Sequence, residues 1–508
     1  MKMKAMLGAA VALPLMAAAE TKTWVAVLDP EGTETTASAA VAENWDPVGI
    51  PTAEDDIVLD GERSNVPLVW NVVVAEGTGA PTSVKSWTQK ASYTARVTMP
   101  TTRTGAFTQF TVTGDAQLDG GEWWRAGQSK SDGSKILVWL NLKFGGDVSI
   151  GPAFTLNGYN AGFGRQCGPS SSGSSDRGAS HGGYGGSASY ANGTVYGDLK
   201  DPQSMGSGGY GDATDYNGGG AILLSVDGNL VMNGKITADG GDGINSCGPS
   251  GGSVNIVAKT LTGTGTIVAE GGSPSGKRHG GGGGRIAIRL MEESLDYAEF
   301  QTRFTGTLSA AGGAGPNGDY AHIPGASGTI YIETKADCGS GHLLMRNKSW
   351  SFAKGSIAHN AVTPVLSTET WNLASVELRD NARLGVYGTL KVPSFAAITS
   401  AGVTKYSLIL LAGGSLQSAL AHDTLKAEGF GVATSGDNDF SAHNLDIPET
   451  STLKVAGTLT VGNLKLNGVK LAKGAYSAAT LAETYANVSG EGTIEVLGLE
   501  KGLSVVVR

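Results

Sequence analysis

A repeat of 32 residues limits what this chain can fold into more than any other feature of its sequence. The segments that begin at Gly219, Gly251 and Gly283 each open with a glycine pair and continue as a short apolar run. They start 32 residues apart, and a degenerate fourth copy starts at Ser327, 44 residues after the third. The insertion Met291–Gln301 accounts for the longer last step. A fixed spacing of this kind is typical of solenoids, in which equivalent units stack along one axis.

The apolar residues inside each copy alternate with other residues, as Ile222 and Leu224 do in the first. A period of two places them on one face of a strand, so Asn255, Ala287 and Tyr331 should face outward. A strand with one apolar face cannot bury it alone, but copies stacked in register form a continuous apolar column.

A second strand recurs in step with the first and ends each time in a glycine pair, at Lys235–Gly241, Thr266–Gly272 and Thr307–Gly313. Each unit therefore holds at least two short strands and a glycine-rich turn. The sequence predicts an all-β chain folded as a right-handed parallel β-helix, with β-rich capping regions at both ends. A β-sandwich or a barrel is the alternative, because alternating strands with glycine turns also build those folds.

Four segments follow from changes in composition along the chain. We expect a signal peptide over residues 1–19 and an N-terminal β region that caps the solenoid over 20–145. The glycine-rich solenoid core is predicted over 146–335, with a long, polar, exposed loop over 162–218. Residues 336–508 are predicted to continue the solenoid and to form its C-terminal cap, with a short helix near 477–485.

The N-terminus has the three parts of a secretory signal peptide. Two lysines precede an apolar run over 5–16, and three alanines precede Glu20. This order predicts export and cleavage after Ala19, and the run is too short to span a bilayer as a helix. A buried N-terminal helix is the alternative. The expected location is extracellular or at the cell surface, without a membrane span.

Composition and charge exclude several functions. Glycine supplies 78 of 508 residues, about twice its usual share, while the formal net charge is −9 without a concentrated basic run. Nucleic acid is therefore not an expected partner, since phosphate binding needs a basic surface. No zinc motif, phosphate-binding loop, nucleophile elbow or dinucleotide fingerprint stands in a supporting context, so we expect neither a cofactor nor a metal. The weak calcium pattern at 239–243 lacks the nonapeptide repeat of known calcium-binding β-helices.

Parts of the sequence resemble large glycine-rich surface proteins of bacteria of the parallel β-helix type, similar to autotransporter passengers. The repeats over 250–272 and 280–288 are similar to the repeats of such proteins, residues 44–61 to their entry segment, and 466–469, 474–477 and 490–496 to their closing segment. The resemblance covers about half of the chain, and it implies export and a solenoid but transfers no catalytic residue. We expect no translocator barrel at the C-terminus.

Polar and aromatic side chains in the predicted side loops are the candidate ligand-binding residues. Loops at equivalent positions of stacked units should emerge on one side, where tyrosine rings can pack on sugars and polar groups can bond their hydroxyls. The alternative is that these are solvated loop residues without a ligand. The candidates are Asp176, Arg177, His181, Tyr184, Asp212, Asp215, Tyr216, Arg278 and His279.

The predicted function is that of a secreted or cell-surface structural or adhesive protein, which binds extracellular glycans through its side loops or contacts other surface proteins. The alternative is a carbohydrate-active β-helix enzyme, either a polysaccharide lyase or a glycoside hydrolase, since both need acidic or basic groups at one cleft. Asp198/Asp201 and Asp212/Asp215 are close in sequence, but spacing alone identifies no catalytic residue.

Two smaller groups of residues also carry expectations. Cys167 and Cys247 both begin a Cys-Gly-Pro-Ser tetrapeptide, and stacked turns would bring them within disulfide reach, with Cys338 as the remaining thiol. The alternative is three reduced cysteines. Trp123 and Trp124, with Trp139, are either a glycan platform or part of the core, and the alternation around Trp139 favours burial.

Overall fold

The computed structural model describes residues 19–28, 35–71, 79–99, 109–124, 139–172, 177–187, 193–211, 216–242, 247–274, 279–314, 323–348, 362–366, 368–380, 382–392, 394–398, 408–411, 415–417, 424–426, 431–435 and 437–498. These residues form three sheets of 22, 6 and 9 strands in which parallel pairing predominates. The predicted all-β class is confirmed.

The first half of the chain, taken here as residues 1–334, has nineteen strands and one α-helix among its described residues. The strands are β1 (Thr21–Trp24), β2 (Ala37–Ser38), β3 (Trp45–Asp46), β4 (Asp56–Leu59), β5 (Leu68–Val69), β6 (Ser83–Val84), β7 (Ser86–Gln89), β8 (Arg96–Thr98), β9 (Phe110–Val112), β10 (Ala116–Trp124), β11 (Trp139–Phe144), β12 (Val148–Asn157), β13 (Ala221–Met232), β14 (Lys235–Thr237), β15 (Ser253–Thr262), β16 (Thr266–Val268), β17 (Arg285–Leu290), β18 (Thr307–Ser309) and β19 (Thr329–Thr334). Helix α1 (Tyr297–Arg303) lies at the predicted insertion, and a 3-10 helix spans Ala42–Asn44.

The second half is built from shorter strands. They are β20 (His342–Arg346), β21 (Thr363–Val365), β22 (Thr370–Asn372), β23 (Ser375–Arg379), β24 (Leu384–Val386), β25 (Thr389–Lys391), β26 (Ser394–Ile398), β27 (Leu408–Leu411), β28 (Ser415–Gln417), β29 (Thr424–Lys426), β30 (Gly431–Ser435), β31 (Asn438–Ile447), β32 (Thr452–Lys454), β33 (Thr458–Leu466), β34 (Val469–Lys470), β35 (Gly474–Ser477), β36 (Val488–Ser489) and β37 (Thr493–Val496). A 3-10 helix spans Lys335–Asp337, and α2 (Ala478–Thr484) is the helix predicted near the C-terminus.

Parallel strands of the first half stack in three columns. Column A joins β1, β4, β7, the first parts of β10 and β12, and the last parts of β13 and β15. Column B joins β2, β5, β8, the last parts of β10 and β12, then β14, β16 and β18. Column C joins β6, β9, β11, β13, β15, β17 and β19. The segment predicted as an N-terminal cap thus contributes strands to the same columns as the glycine-rich core.

The register predicted from the 32-residue repeat is confirmed. Ile222 is level with Val254, which is level with Ile286, and Ile286 is level with Ile330. All four side chains are buried. Burial alternates along the short strands, as in β4 and β7, because successive side chains point to opposite faces.

The apolar core lies against one face of the sheet up to β19 and against the opposite face from β20 onward. These two strands pair antiparallel, whereas β20, β23 and β26 continue in parallel. Ile330 belongs to the core of the first half, but its neighbour Tyr331 belongs to the core of the second half, together with Leu343. The shared strand pair therefore forms one wall of each core.

A stack of aromatic rings fills the core of the N-terminal coils. Trp24, Trp45, Trp70, Trp87 and Trp123 follow one another with ring centroids 5.0 to 6.1 Å apart, at steep interplanar angles. Trp123 is fully buried in this stack, which supports the interpretation as core rather than as a glycan platform.

The turns between columns B and C form a second packed region, here called the glycine bundle. It comprises residues 158–172, 177–187, 193–211, 216–220, 238–242, 247–252, 269–274, 279–284, 310–314 and 323–328. Most of its described residues are buried, although no helix or strand runs through it. The expectation of an exposed polar loop over 162–218 is not met in its described residues.

Backbone hydrogen bonds hold the glycine bundle together. In the segment Gly280–Gly284, the Gly280 N–H donates to the Ile323 carbonyl and the Gly283 N–H donates to the Ala326 carbonyl. The other three N–H groups of this segment donate to carbonyls of other segments. The return to the same neighbour every third residue matches the three-residue turn of a polyproline II helix. A β-strand forms backbone hydrogen bonds with two neighbouring strands, whereas this segment forms them with several. Because these neighbours approach closely from many sides, there is no room for side chains and glycine is required.

Three residues predicted to face outward are buried on the opposite face of column C. Ala287 and Tyr331 are fully buried and Asn255 is 6% exposed. The Asn255 amide donates to Asp201 Oδ1 at 2.7 Å, and the Ser253 hydroxyl donates to the Ser204 carbonyl at 2.6 Å. The alternation itself is as predicted, but part of the bundle and the second core cover this face.

Among the described residues, none of the helices has the length and apolar composition that a membrane span requires.

Candidate functional site

The predicted ligand-binding residues do not form an exposed surface in the part of the chain that the structure describes. Asp176, Asp212, Asp215 and Arg278 lie outside the described residues. Of the others, His181, Tyr184, Tyr216 and His279 are buried and Arg177 is partly exposed.

His181 lies inside the glycine bundle. Its Nδ1 is 2.8 Å from the Gly251 carbonyl oxygen, and its ring packs on Tyr196 at a centroid distance of 4.5 Å. Burial, together with the nearby Arg285 guanidinium, lowers the pKa of His181 to about 3. The ring is therefore neutral at physiological pH, and its environment indicates a structural role.

The remaining described candidates also pack against protein. Tyr184 contacts Val195 and Val362, and burial raises its pKa to about 12. The Tyr216 carbonyl accepts the Gly209 N–H, and His279 Nδ1 accepts the Ile323 N–H at 3.1 Å. None of these described side chains exposes an aromatic ring on which a sugar could pack.

The predicted disulfide is not formed, and a segment of the bundle separates its two cysteines. None of the three cysteines, all of which are described, is disulfide-bonded. The Gly208 N–H donates to the Cys167 carbonyl, whereas Tyr210 exchanges two backbone hydrogen bonds with Cys247. The prediction placed the two Cys-Gly-Pro-Ser turns on adjacent levels, but residues 208–210 lie between them.

An open groove of about 600 Å³ lies instead on the outer face of column A. It crosses four neighbouring strands, β7, β10, β12 and β13, which are in register. Its lining residues are Ser86, Trp87, Thr88, Asp115, Ala116, Gln117, Asp147, Val148, Ser149, Asn229 and Val231.

The groove side chains form two rows that run across the strands. Row 1 consists of Ser86, Asp115, Asp147 and Asn229, and row 2 consists of Thr88, Gln117, Ser149 and Val231. Each residue of a row is next in sequence to a buried residue, because successive side chains point to opposite faces of a strand. Adjacent members of a row are separated by the strand spacing of about 4.8 Å.

Row 1 is ordered by hydrogen bonds from one strand to the next. Asp115 Oδ1 accepts the Asp147 N–H at 2.8 Å, and Asp147 Oδ1 accepts the Asn229 N–H at 2.7 Å. Thr260 continues this row by donating its hydroxyl to Asn229 Oδ1 at 2.9 Å. Since each carboxylate uses one oxygen in this way, its second oxygen can accept from a ligand.

The groove carries negative charge and presents no aromatic ring. Asp115 and Asp147 are exposed, and neither forms an ion pair with any described residue. Trp87 belongs to the lining, but it is fully buried. A ligand would therefore be recognised by hydrogen bonds and charge rather than by ring stacking.

The sequence carries a second repeat, separate from the repeat of glycine pairs, that marks this groove. Gly114-Asp115-Ala116 and Gly146-Asp147-Val148 stand 32 residues apart, and Gly228-Asn229-Leu230 repeats the pattern after the long insertion. In each copy a glycine precedes a polar residue and a buried apolar one.

A second concavity, of about 430 Å³, is lined by residues that neutralise one another. Glu270 pairs with Lys348 at 2.5 Å, and Arg346 pairs with Asp380 at 2.8 Å. Their mutual pairing leaves less charge for a ligand than in the first groove. Within the described residues, no group of three or more metal-ligating side chains comes together.

No protein-family model, curated protein or solved structure matches the chain.

Proposed function

We propose that the chain is an exported or cell-surface β-solenoid with a structural or adhesive role, and that it binds glycans in the groove on column A rather than through its side loops. Two rows of mainly polar side chains across four strands, one of them ordered by hydrogen bonds between strands, carry this proposal. The signal-peptide pattern of residues 1–19, which lie almost entirely outside the described residues, supports export.

A right-handed coil accounts for the three columns. The chain passes from column A to B and from B to C, and it returns to A one level higher. Crossovers between parallel strands of one sheet are right-handed in nearly all proteins, because the strand twist favours that hand. The solenoid is therefore proposed to be a right-handed parallel β-helix.

The chemistry of the groove suits a polysaccharide lying across the strands. The Thr88 and Ser149 hydroxyls donate and accept, the Gln117 and Asn229 amides do both, and the two carboxylates accept. The step of about 4.8 Å between neighbouring strands is comparable with the length of one pyranose unit, so successive sugars can meet equivalent groups.

The charge of the groove selects among polysaccharides. The exposed carboxylates of Asp115 and Asp147 repel uronic acids and sulfated sugars, and they attract ammonium groups. The proposed ligands are therefore neutral or amino-bearing glycans.

A glycan array with the exported protein and two single variants tests this proposal. Ser149→Trp fills the groove from row 2, and Thr460→Trp places the same bulk on the outer face of β33, outside the groove. We expect Ser149→Trp to weaken binding at least 10-fold, equivalent to about 1.4 kcal/mol, and Thr460→Trp to have no effect. Equal binding by both variants, or binding only to uronic-acid polymers, would refute the groove as the site.

Glycoside hydrolysis is the second candidate, favoured by the two carboxylates at level positions of neighbouring strands. Retaining glycosidases hold two carboxyl groups about 5 Å apart. Release of reducing sugar that Asp115→Asn and Asp147→Asn each abolish would establish it. Binding without release supports the adhesive role.

A further inference from the structure

A serine, a histidine and an aspartate meet where the strand direction of the sheet reverses. His342 is the first residue of β20 and Ser375 the first of β23, and the parallel register places them side by side. Asp337 ends the 3-10 helix that connects β19 to β20. The repeat in the first half of the chain has no part in this cluster.

Hydrogen bonds connect the three side chains in series. His342 Nδ1 lies 2.7 Å from Ser375 Oγ, and His342 Nε2 lies 3.2 Å from Asp337 Oδ1. An ionised carboxylate only accepts, so the proton of the neutral imidazole is on Nε2 and points at Asp337. Nδ1 then has a free lone pair, and the Ser375 hydroxyl donates to it.

Further contacts hold Asp337 and His342 in place. Asp337 Oδ2 accepts the Thr334 N–H at 2.7 Å and the Thr334 hydroxyl at 2.9 Å. The Tyr297 ring lies parallel to the imidazole, with centroids 3.7 Å apart and an interplanar angle of 8°. The imidazole therefore has a fixed plane and a fixed tautomer.

Solvent still reaches the cluster. The side chains of His342 and Asp337 are 14% and 12% exposed, and Ser375 is partly exposed. A nucleophile within hydrogen-bond reach of a base, with the base oriented by a third group, is the geometric signature of an activated serine.

We propose that Ser375 is a nucleophile that His342 activates, and that it accepts acyl groups from activated esters. Ser375 Oγ forms a bond to the ester carbonyl carbon while its proton passes to His342 Nδ1. The carbon–oxygen bond to the leaving alcohol then breaks, and that alcohol takes the proton from Nδ1. Water, deprotonated by the same nitrogen, releases the acid and restores the hydroxyl. Asp337 is a positioning residue in this scheme.

The test is covalent labelling of the full-length exported protein with a fluorophosphonate, followed by peptide mapping. Fluoride leaves as the serine oxygen bonds to phosphorus, so the adduct stays on the nucleophile. We expect a single adduct on Ser375 and none in Ser375→Ala. Because a general base contributes about 10²-fold or more, His342→Asn should slow labelling by about that factor. Asp337→Asn should slow it less, and Ser340→Ala on the neighbouring turn should leave it unchanged.

Two results would overturn the proposal. One is the absence of a Ser375 adduct from the wild-type protein, and the other is an equal labelling rate in wild type and His342→Asn. The first of these results needs no variant, so a misfolded variant cannot hide it.

Discussion

The substitution Gly281→Ala tests whether the glycine bundle depends on close approach of backbones. A Cβ at Gly281 would overlap the Pro249 carbonyl oxygen and lie 2.5 Å from its carbonyl carbon. Pro249 cannot withdraw easily, because its carbonyl accepts the Gly272 N–H at 2.8 Å while the Gly281 N–H donates to the Gly272 carbonyl at 3.1 Å. A single methyl group therefore strains three segments.

The expected cost combines overpacking with a weakened hydrogen bond. Overpacking a tight interior costs about 1–3 kcal/mol, and a buried backbone hydrogen bond contributes about 1 kcal/mol. We expect Gly281→Ala to destabilise the bundle by about 3 kcal/mol. The control is Gly468→Ala, because Gly468 has a φ of +85° but no atom within 4 Å of the added Cβ. It should cost only the left-handed conformation, about 1 kcal/mol.

Hydrogen exchange read by mass spectrometry is the suitable assay, because long repeat arrays need not unfold in one step. A loss of about 3 kcal/mol speeds exchange in peptides over 247–252 and 279–284 by about 100-fold. Peptides from β33 and β37 should not change. If Gly281→Ala costs no more than Gly468→Ala, the bundle is not packed as described.

Three other predictions concern the core, the buried histidine and the thiols. Ile256→Ala and Ile288→Ala should each cost about 2–5 kcal/mol, seen as faster exchange along column C, and a cost under about 1 kcal/mol for either contradicts the stacked register. Because burial lowers the pKa of His181 to about 3, the unfolded chain binds more protons between about pH 6.5 and 3, so stability should fall as the pH falls through that window. His181→Asn should flatten this dependence, and an unchanged slope in a urea titration series contradicts it. Maleimide should modify exposed Cys338 rapidly and buried Cys247 only after unfolding, and early mass-mapped modification of Cys247 contradicts its placement.

The parts of the fold that rest on side-chain pattern could be predicted from the sequence. The alternation in Ile222–Leu224 and the 32-residue spacing predict column C, and the helix predicted near 477–485 is present as α2. Spacing also carries the information for Asp115 and Asp147, because each follows a glycine and the two stand 32 residues apart.

The glycine bundle and the cluster at Ser375 could not be predicted, for different reasons. The bundle is held by backbone groups, which every residue carries, so the segment around His181 has the composition of an exposed loop. Ser375 and His342 are 33 residues apart, and only the antiparallel turn after β19 determines which strand lies beside which.

The change of core side at β19 and β20 has a consequence for the order in which the chain acquires structure. If the chain folds from the N-terminus as it emerges from the membrane, column C is complete before the second half has emerged. The free edge of β19 then serves as a template on which β20 is laid, and Tyr331 already presents the first apolar surface of the second core. Without β19 the core of the second half would lack one of the strands that enclose it. A fragment beginning at Ser340 should therefore remain unfolded, whereas a fragment ending at Thr334 should fold. Assembly is in this sense vectorial, with each coil acting as the scaffold for the next.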